Sequence, residues 1–187
     1  MKKSTPDPQV HDLYDRGYKL IFSFYQVFQQ LMEGYVPEEW ISRLDYANSQ
    51  KIDKSFIMKG FKKQESDILY EVPLLGEPDK TIFLYVLIEH QSNVDFTMPF
   101  RVLCYLVEIW RDFYKNKKKK ESQQKDFRFP PVFPIVLYNG KNTWTASTSM
   151  REIVEHAELF GDFIPNVCYH LVDTSQPLSE TIILNNS

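Results

Sequence analysis

The sequence predicts an α/β domain: a mixed sheet flanked by helices. Three observations lead to this prediction. Residues 11–33 have a helical pattern, residues 66–75 and 81–91 form two neighbouring strand-like runs, and residues 97–116 and 132–140 give a further helix followed by a strand. A chain order of helix, strands, helix and strand is typical of sheets that bury their faces under helices.

The first helix is predicted from the spacing of its apolar side chains. They recur largely at three- and four-residue intervals from Leu13 to Leu31, which places them on one side of a helix. Gly34 is a helix stop signal, and Pro37 prevents easy continuation. The mostly polar residues 1–10 carry two prolines, and we expect them to form a flexible lead-in.

The next two runs predict a hairpin or meander. Alternate residues of 66–75 are apolar, from Ile68 to Leu74, as expected of a strand with one face on a core. Residues 81–91 are rich in β-branched and aromatic side chains and apolar on both faces, which is typical of a central strand. The segment GEPDK between them, residues 76–80, is a turn by composition.

The second half of the chain supplies fewer signals. A helix is predicted over 97–116, and Pro99 is compatible with it because proline is tolerated in a first turn. A polar linker follows, and then a buried strand over 132–140. The remaining residues, 141–187, contain one predicted helix near 149–159 and a weak apolar run at 167–172.

Composition narrows the classes of protein. Apolar residues make up 43% of the chain and aromatic residues 15%, which is enough for a sizeable core. The net charge is −3, so a nucleic-acid partner would need a local basic patch. Cys104 and Cys168 form no CxxC pair, which fits a reducing compartment. No secretory signal and no apolar run of about 18 residues is present, so we expect a cytoplasmic protein with no membrane partner.

Polar residues at the end of the central strand indicate chemistry. A hairpin around residues 76–80 pairs residues whose numbers sum to about 156, which places Asp67 opposite Glu89. Gln91 lies on the same face as Glu89, about 6.6 Å along the strand, and His90 lies on the other face. Asp95 is expected to be solvated.

Two adjacent carboxylates repel each other, and a divalent cation relieves that repulsion. Mg²⁺ takes one or two carboxylates, keeps several waters, and can activate a water against a phosphoryl group. In this interpretation Asp67 and Glu89 bind the metal, and Gln91 positions the water or the phosphate. The alternative is that Glu89 and Gln91 are ordinary surface residues where a strand emerges. The four histidines show no zinc spacing, and the sequence contains no P-loop or GxGxxG motif.

A basic segment offers a second functional surface. Residues 115–128 contain seven Lys or Arg side chains and two acidic ones. Its core, Lys117, Lys118, Lys119 and Lys120, could contact DNA phosphates, or it could be a solvated loop. Arg101, early in the second helix, could hold a phosphate, with a surface or ion-paired arginine as the alternative.

Three segments, "SDILYEVPL", "YVLIEHQSNVDFTMPFRVLCYL" and "FPPVFPIVLYNGKNTW", resemble the Rpn family of recombination-promoting nucleases, often labelled transposases. That family belongs to the PD-(D/E)xK phosphodiesterase superfamily. The resemblance implies a restriction-endonuclease-like fold with a central mixed four-stranded sheet, a nuclease core over 11–145, and DNA as partner. It also implies an Mg²⁺-dependent DNA endonuclease, with Mn²⁺ as a substitute, tied to recombination or mobile elements.

The resemblance also assigns roles to residues. Asp67 would be the first strand carboxylate and Glu89 the second. Gln91 stands where the superfamily usually has lysine, which removes a cation that would stabilise developing charge. Asp12 is the best match for an accessory carboxylate on the first helix.

Residues 146–187 are expected to form a C-terminal extension. Family members usually continue well beyond this length, so the alternatives are a truncated chain and a degenerate copy. Many nucleases of the superfamily act as dimers, which makes a homodimer one option. The alternative function is a catalytically inactive DNA-binding or protein-interaction module that retains the nuclease fold.

Overall fold

A five-stranded mixed sheet organises the computed structural model, which describes residues 17, 20–52, 67–89, 94–140 and 142–174. Neighbouring strands follow chain order; the pairs β1–β2 and β2–β3 are antiparallel, and β3–β4 and β4–β5 are parallel. The strands are β1 (Gln50–Lys51), β2 (Ile68–Leu74), β3 (Glu77–Glu89), β4 (Val132–Tyr138) and β5 (His170–Asp173).

The predicted mixed sheet flanked by helices is confirmed, but the expectation of four strands is wrong. The edge strand β1 has two residues, too few to show a period of two in the sequence. The opposite edge strand, β5, comes from the weak apolar run near the end of the chain. Both edge strands depend on their partner strands for their backbone hydrogen bonds, which a single-sequence pattern does not reveal.

Helices cover both faces of the sheet. The longer ones are α1 (Tyr25–Tyr35) and α2 (Met98–Lys115), and single-turn helices are α3 (Lys119–Ser122) and α4 (Ala157–Phe160). Short 3-10 helices span Glu39–Arg43, Tyr46–Asn48, Met150–Ile153 and Gly161–Phe163. No helix in the described ranges combines the length and the apolar character that crossing a membrane requires.

The strands alternate between two hydrophobic cores, as their period of two requires. On one face, β2 and β3 pack through Tyr70 and Leu84 against Phe28 and Met32 of α1. On the other face, Leu69, Phe83, Tyr85 and Leu87 pack against α2. The buried residues of α2 are Met98, Pro99, Val102, Tyr105, Leu106 and Ile109. Both faces of β3 are therefore buried, which explains its continuous apolar sequence.

The first helix differs from its prediction in extent. Gly17, Leu20 and Ile21 are helical, but residues 22–24 form a turn, and Phe24 has extended backbone angles (φ −90°, ψ 117°). The continuous helix α1 therefore begins at Tyr25. It passes through Gly34 and ends at Tyr35, where the N–H of Val36 bonds to Met32 O. Residues 1–16, 18 and 19, which include most of the predicted helix start, lie outside the described part.

The hairpin turn also differs from its prediction. The chain reverses at Leu75 and Gly76, where Gly76 has φ +76°, and β3 already begins at Glu77. The pairing shifts from Pro73–Thr81 to Leu74–Glu77, so three extra residues lie on the β3 side of the hairpin tip. Of the residues predicted as a turn, 76–80, Gly76 lies in the turn, and the others form an irregular first part of β3 that contains a bulge.

The predicted helix at 149–159 is broken into two short pieces. A 3-10 helix covers Met150–Ile153, and α4 begins only at Ala157. Between them His156 has a left-handed backbone (φ 57°), which a continuous right-handed helix excludes. The strand predicted at 132–140 is confirmed as β4, ending at Tyr138.

The two glycines at 76 and 34 provide a matched test of this backbone. Gly76→Ala should lower the free energy of unfolding by about 1–2 kcal/mol, because only glycine adopts positive φ without strain. An added Cβ would meet no atom within 4 Å at either position, so packing is not a confounder. Gly34→Ala should instead leave stability unchanged or raise it by up to about 1 kcal/mol. Urea unfolding of the two variants measures both; equal effects would contradict the turn geometry.

Candidate functional site

A buried carboxylate opens the hairpin on the sheet face that α2 covers. Asp67 directly precedes β2 and is only 4% exposed. The phenol of Tyr85, on the neighbouring strand β3, donates a hydrogen bond of 2.8 Å to Asp67 Oδ2. The contact follows from the hairpin register, because Tyr85 pairs with Leu69, two residues after Asp67.

The electrostatic environment keeps Tyr85 protonated. Complete burial of its ring, followed by the nearby Asp67 carboxylate, raises the pKa of the Tyr85 phenol well above its usual value. The ring also packs against Tyr105 of α2 at a centroid distance of 5.2 Å. Arg101 acts in the opposite direction on the same pKa, so its positive charge reaches this part of the core. Tyr85 is therefore a fixed hydrogen-bond donor that orients the Asp67 carboxylate.

An ion pair is fixed at the start of α2. Arg101 Nη1 lies 2.7 Å from Asp95 Oδ2, and the two side chains are 16% and 24% exposed. Asp95 Oδ1 accepts hydrogen bonds from the backbone N–H and the hydroxyl of Thr97, the residue before the helix. Partial burial raises the pKa of Asp95, but the hydrogen bonds from Thr97 and Arg101 outweigh burial, and the net pKa is lowered. Asp95 is thus a partly buried partner of Arg101 and not the solvated residue that the sequence suggested.

Glu89 is close to the predicted position but not opposite Asp67. It is the last residue of β3, and its backbone pairs with Tyr138 of β4. Ile68 pairs with Val86, so continuing the register by one residue places Asp67 against Leu87, two residues short of Glu89. The predicted direct opposition is therefore wrong, because the turn is centred earlier than its composition indicated.

The corrected register still brings the two positions together. A strand returns to the same face every second residue, so position 89 shares the face of Tyr85 and Leu87. Diagonal neighbours of this kind on adjacent antiparallel strands lie about 7–8 Å apart. Asp67 directly precedes β2 and Glu89 ends β3, so both lie at the same edge of the sheet.

Three predicted site groups lie outside the described part of the chain: Asp12, Gln91 and the side chain of Glu89. His90, which was not predicted to belong to the site, also lies outside it. Among the residues that the structure does describe, no three His, Cys, Asp or Glu side chains are arranged to hold a metal ion. Asp67 is the predicted ligand whose surroundings are defined. Its carboxylate is oriented by a neutral donor, as the ligands of metal sites commonly are.

The basic segment is exposed throughout its lysine run. Lys117, Lys118, Lys119 and Lys120 are all exposed, the last two in the single-turn helix α3. The Lys117 ammonium lies 4.7 Å from the centroid of the Phe113 ring, which joins the segment to the end of α2. The segment lies at the end of α2 opposite to Arg101, about 20 Å away along the helix axis.

The sequence analysis missed Tyr85, Asp95 and Tyr169. Tyr169 accepts a hydrogen bond from the Trp144 indole at 3.1 Å, and its own hydroxyl donates to Ser147 O. Asp95 could have been found, because Asp-Phe-Thr before a helix is a capping pattern. Tyr85 and Tyr169 lie in apolar runs where tyrosine is ordinary, and only the tertiary contacts distinguish them.

Comparison with known proteins gives this geometry a family context. The family model described as "Putative transposase, YhgA-like" matches residues 12–186. The chain belongs to this family.

Three curated relatives of this YhgA-like chain carry nuclease names. Recombination-promoting nuclease RpnC of Escherichia coli K12 is 28% identical over 130 residues, and RpnD of E. coli O157:H7 is 25% identical over 130 residues. The inactive recombination-promoting nuclease-like protein RpnE of E. coli K12 is 24% identical over 131 residues. Each match covers 70% of this chain but only 40%, 46% and 40% of the respective relative. The chain therefore spans less than half the length of these relatives.

No solved structure matches the chain. The predicted resemblance to the Rpn nucleases is confirmed by the family match and by these relatives.

Removing the Tyr85 hydroxyl tests the buried hydrogen bond. Tyr85→Phe keeps the ring that packs on Tyr105 but removes the donor to the Asp67 carboxylate. We expect the free energy of unfolding in urea to fall by about 1.5–3 kcal/mol, the range for hydrogen bonds to charged groups. Tyr114→Phe is the control, because that ring is 49% exposed, and its effect should stay within about 0.5 kcal/mol. Equal losses would show that Tyr85 stabilises only through its ring.

Alkaline pH should destabilise the fold through its buried tyrosines. Burial and the Asp95 charge raise the pKa of Tyr169 to about 12 against the lowering by Trp144. Burial and the Asp67 carboxylate also raise the pKa of Tyr85 well above its usual value. The folded pKa values exceed the unfolded value of about 10, so this stability is complete below pH 10. It should be lost as pH rises from 10 through about 12 for Tyr169. Urea midpoints measured between pH 8 and about 12 test this; in Tyr85→Phe the decline should be shallower, and an unchanged decline would exclude Tyr85 as a cause.

Proposed function

We propose that this domain is a metal-dependent DNA endonuclease that hydrolyses phosphodiester bonds in recombination or mobile-element events. One observation carries the proposal: a buried, oriented carboxylate, Asp67, lies at the same sheet edge and on the same face as position 89, which holds a second carboxylate. The relatives named recombination-promoting nucleases support the reaction class.

The topology supports a restriction-endonuclease-like, PD-(D/E)xK arrangement. An antiparallel hairpin, β2–β3, is followed by α2 and by the parallel strand β4. The carboxyl ends of β3, β4 and β5 therefore meet at the edge where Asp67 lies. Open α/β sheets bind their ligands at that edge, because loops there surround a crevice outside the strand ends.

A hard divalent cation suits the two carboxylates. Asp67 and Glu89 would hold Mg²⁺, or Mn²⁺ in its place, since Mg²⁺ binds one or two carboxylates at about 2.1 Å and keeps several waters. Bound there, the ion would polarise a phosphoryl oxygen and lower the pKa of a water. Tyr85 donates to Asp67 and keeps the carboxylate in one orientation.

The other residues would act on the DNA. Gln91 would orient the attacking water or a phosphate oxygen, without the charge that a lysine brings. Arg101, held by Asp95 at the first turn of α2, would add positive charge beside the carboxylates. Asp12 would be an accessory carboxylate, and Lys117 to Lys120 would contact phosphates further along the duplex or strand. A homodimer and a cytoplasmic location remain part of this proposal.

A second function is favoured by two observations. RpnE, which is 24% identical, is named inactive, and glutamine stands here at the position where the superfamily usually has lysine. The alternative is a catalytically inactive DNA-binding or protein-interaction module with the nuclease fold. Such a module would keep Asp67 for its hydrogen bond with Tyr85 and would need no cation.

Cleavage of supercoiled plasmid separates the two functions. Purified protein should nick or linearise the plasmid with Mg²⁺ or Mn²⁺ and not with EDTA. Asp67→Asn and Glu89→Gln keep the size of each side chain but remove its charge, and should each reduce cleavage by more than about 100-fold. Glu158→Gln is the control, because that carboxylate is 73% exposed and distant in sequence from the site.

The contrary results are distinct. Cleavage that persists in EDTA, or in both carboxylate variants, would refute the metal-dependent mechanism. Folded protein that binds DNA but never cleaves it with either metal would favour the inactive module.

A further inference from the structure

An exposed aromatic surface adjoins the basic segment, and its rings have no role in the candidate site. We call it the ring surface; it consists of Phe113, Tyr114, Phe127 and Phe129 with Lys117. Tyr114 and Phe129 are 49% and 46% exposed, which is high for aromatic side chains. The rings contact one another at centroid distances of 5.2–6.4 Å.

The inward-facing contacts of this region are explained by packing against the rest of the fold. Phe113 packs inward against Phe83 of β3, and the Trp110 indole donates a hydrogen bond to Pro130 O. These contacts fasten residues 127–130 to the end of α2. They do not require the outward-facing parts of Tyr114 and Phe129 to be aromatic, because those parts contact solvent.

The positive charge around the ring surface favours an anionic ligand. Seven Lys or Arg side chains and two acidic ones occupy residues 115–128, in a chain whose net charge is −3. Lys117 lies over the Phe113 ring, so positive charge and an aromatic face are presented together. Ligands that carry both flat rings and regularly spaced negative charges satisfy this combination, and single-stranded nucleic acid is such a ligand.

A line of exposed apolar side chains connects the ring surface to the candidate site. Phe100, Val107 and Tyr114 are each about half exposed and are spaced by seven residues along α2. Residues at this spacing lie on one side of a helix. Phe100 neighbours Arg101 in the chain, so the line runs from the end of α2 that holds the Asp95–Arg101 pair to the ring surface.

We propose that the ring surface binds single-stranded nucleic acid, with unpaired bases stacked on Tyr114 and Phe129 and phosphates held by Lys117 and its neighbours. Duplex DNA buries its base faces and cannot use the rings, so the surface favours a strand that is single or has been opened. The inference deepens the proposed nuclease function, whose substrate would then be single-stranded or partly opened DNA along α2.

Binding without catalysis tests this surface. Fluorescence anisotropy would be measured in EDTA with a labelled oligothymidylate and with a labelled duplex, on the Asp67→Asn background so that no strand is cut. Tyr114→Ala and Phe129→Ala should each weaken single-strand binding by about 5- to 150-fold, the factor for one lost base–ring stack. Duplex binding should change by much less.

Controls separate ring, charge and folding. Tyr114→Phe keeps the ring and should bind normally, and Phe163→Ala removes a ring that is 92% exposed elsewhere. Lys117→Gln with Lys118→Gln should reduce the slope of log affinity against log salt by about 1.4, or about 0.7 per phosphate contact on single strands. Unchanged urea midpoints would show that the alanine variants remain folded. If the alanine variants unfold, the change in salt dependence in the double lysine variant is the deciding measurement.

Three results would overturn the inference. The first is equal weakening on single strand and duplex, and the second is no weakening in either ring variant. The third is a dimer in sedimentation that the ring variants dissociate without loss of oligonucleotide binding, which would make the surface a contact between copies of the chain. Plasmid cleavage is scored separately, so a chain that binds single strands but never cleaves would refute the nuclease and not this inference.

Discussion

The register of the β2–β3 hairpin is the constraint on which the candidate site depends. It places Asp67 beside Tyr85, so that a buried carboxylate accepts a hydrogen bond from a buried phenol whose pKa is raised well above its usual value by burial and by that carboxylate. The same register puts Glu89 one pleat beyond the direct partner of Asp67. A shift of a single residue would place positions 67 and 89 on opposite faces of the sheet.

Helix α2 packs on the sheet face that carries Tyr85 and holds the groups around Asp67 in place. Its buried side supplies Tyr105, which packs on Tyr85, and its first turn carries Arg101, which pairs with Asp95. The Thr97 hydrogen bonds to Asp95 fix where the helix begins, and therefore where the guanidinium lies. Such support from neighbouring hydrogen bonds is what holds functional groups in a defined geometry. Helix α2 thus begins near the sheet edge where Asp67 lies and ends at the ring surface and the basic segment.

The family comparisons and the geometry agree at the level of a nuclease-related domain. The same geometry also fits a catalytically inactive domain, because the hydrogen bond from Tyr85 to the buried Asp67 carboxylate needs no cation. A carboxylate inside the core is costly to bury, and the hydrogen bond from the Tyr85 phenol offsets part of that cost.

The sequence by itself determined the central strands and the second helix, because side-chain periodicity and a proline in a first helical turn are local properties of the chain. It also determined the family, because the matching segments are long and continuous. It also identified Asp67 and Glu89 as the carboxylates of one hairpin. It did not determine their alignment, since the turn at Gly76 and the extra residues on β3 depend on pairing energies across the strands. Nor did it reveal β1, the Asp95–Arg101 pair or the Tyr85 hydrogen bond. These features arise where distant segments pack together, and only the tertiary structure brings their partners within contact.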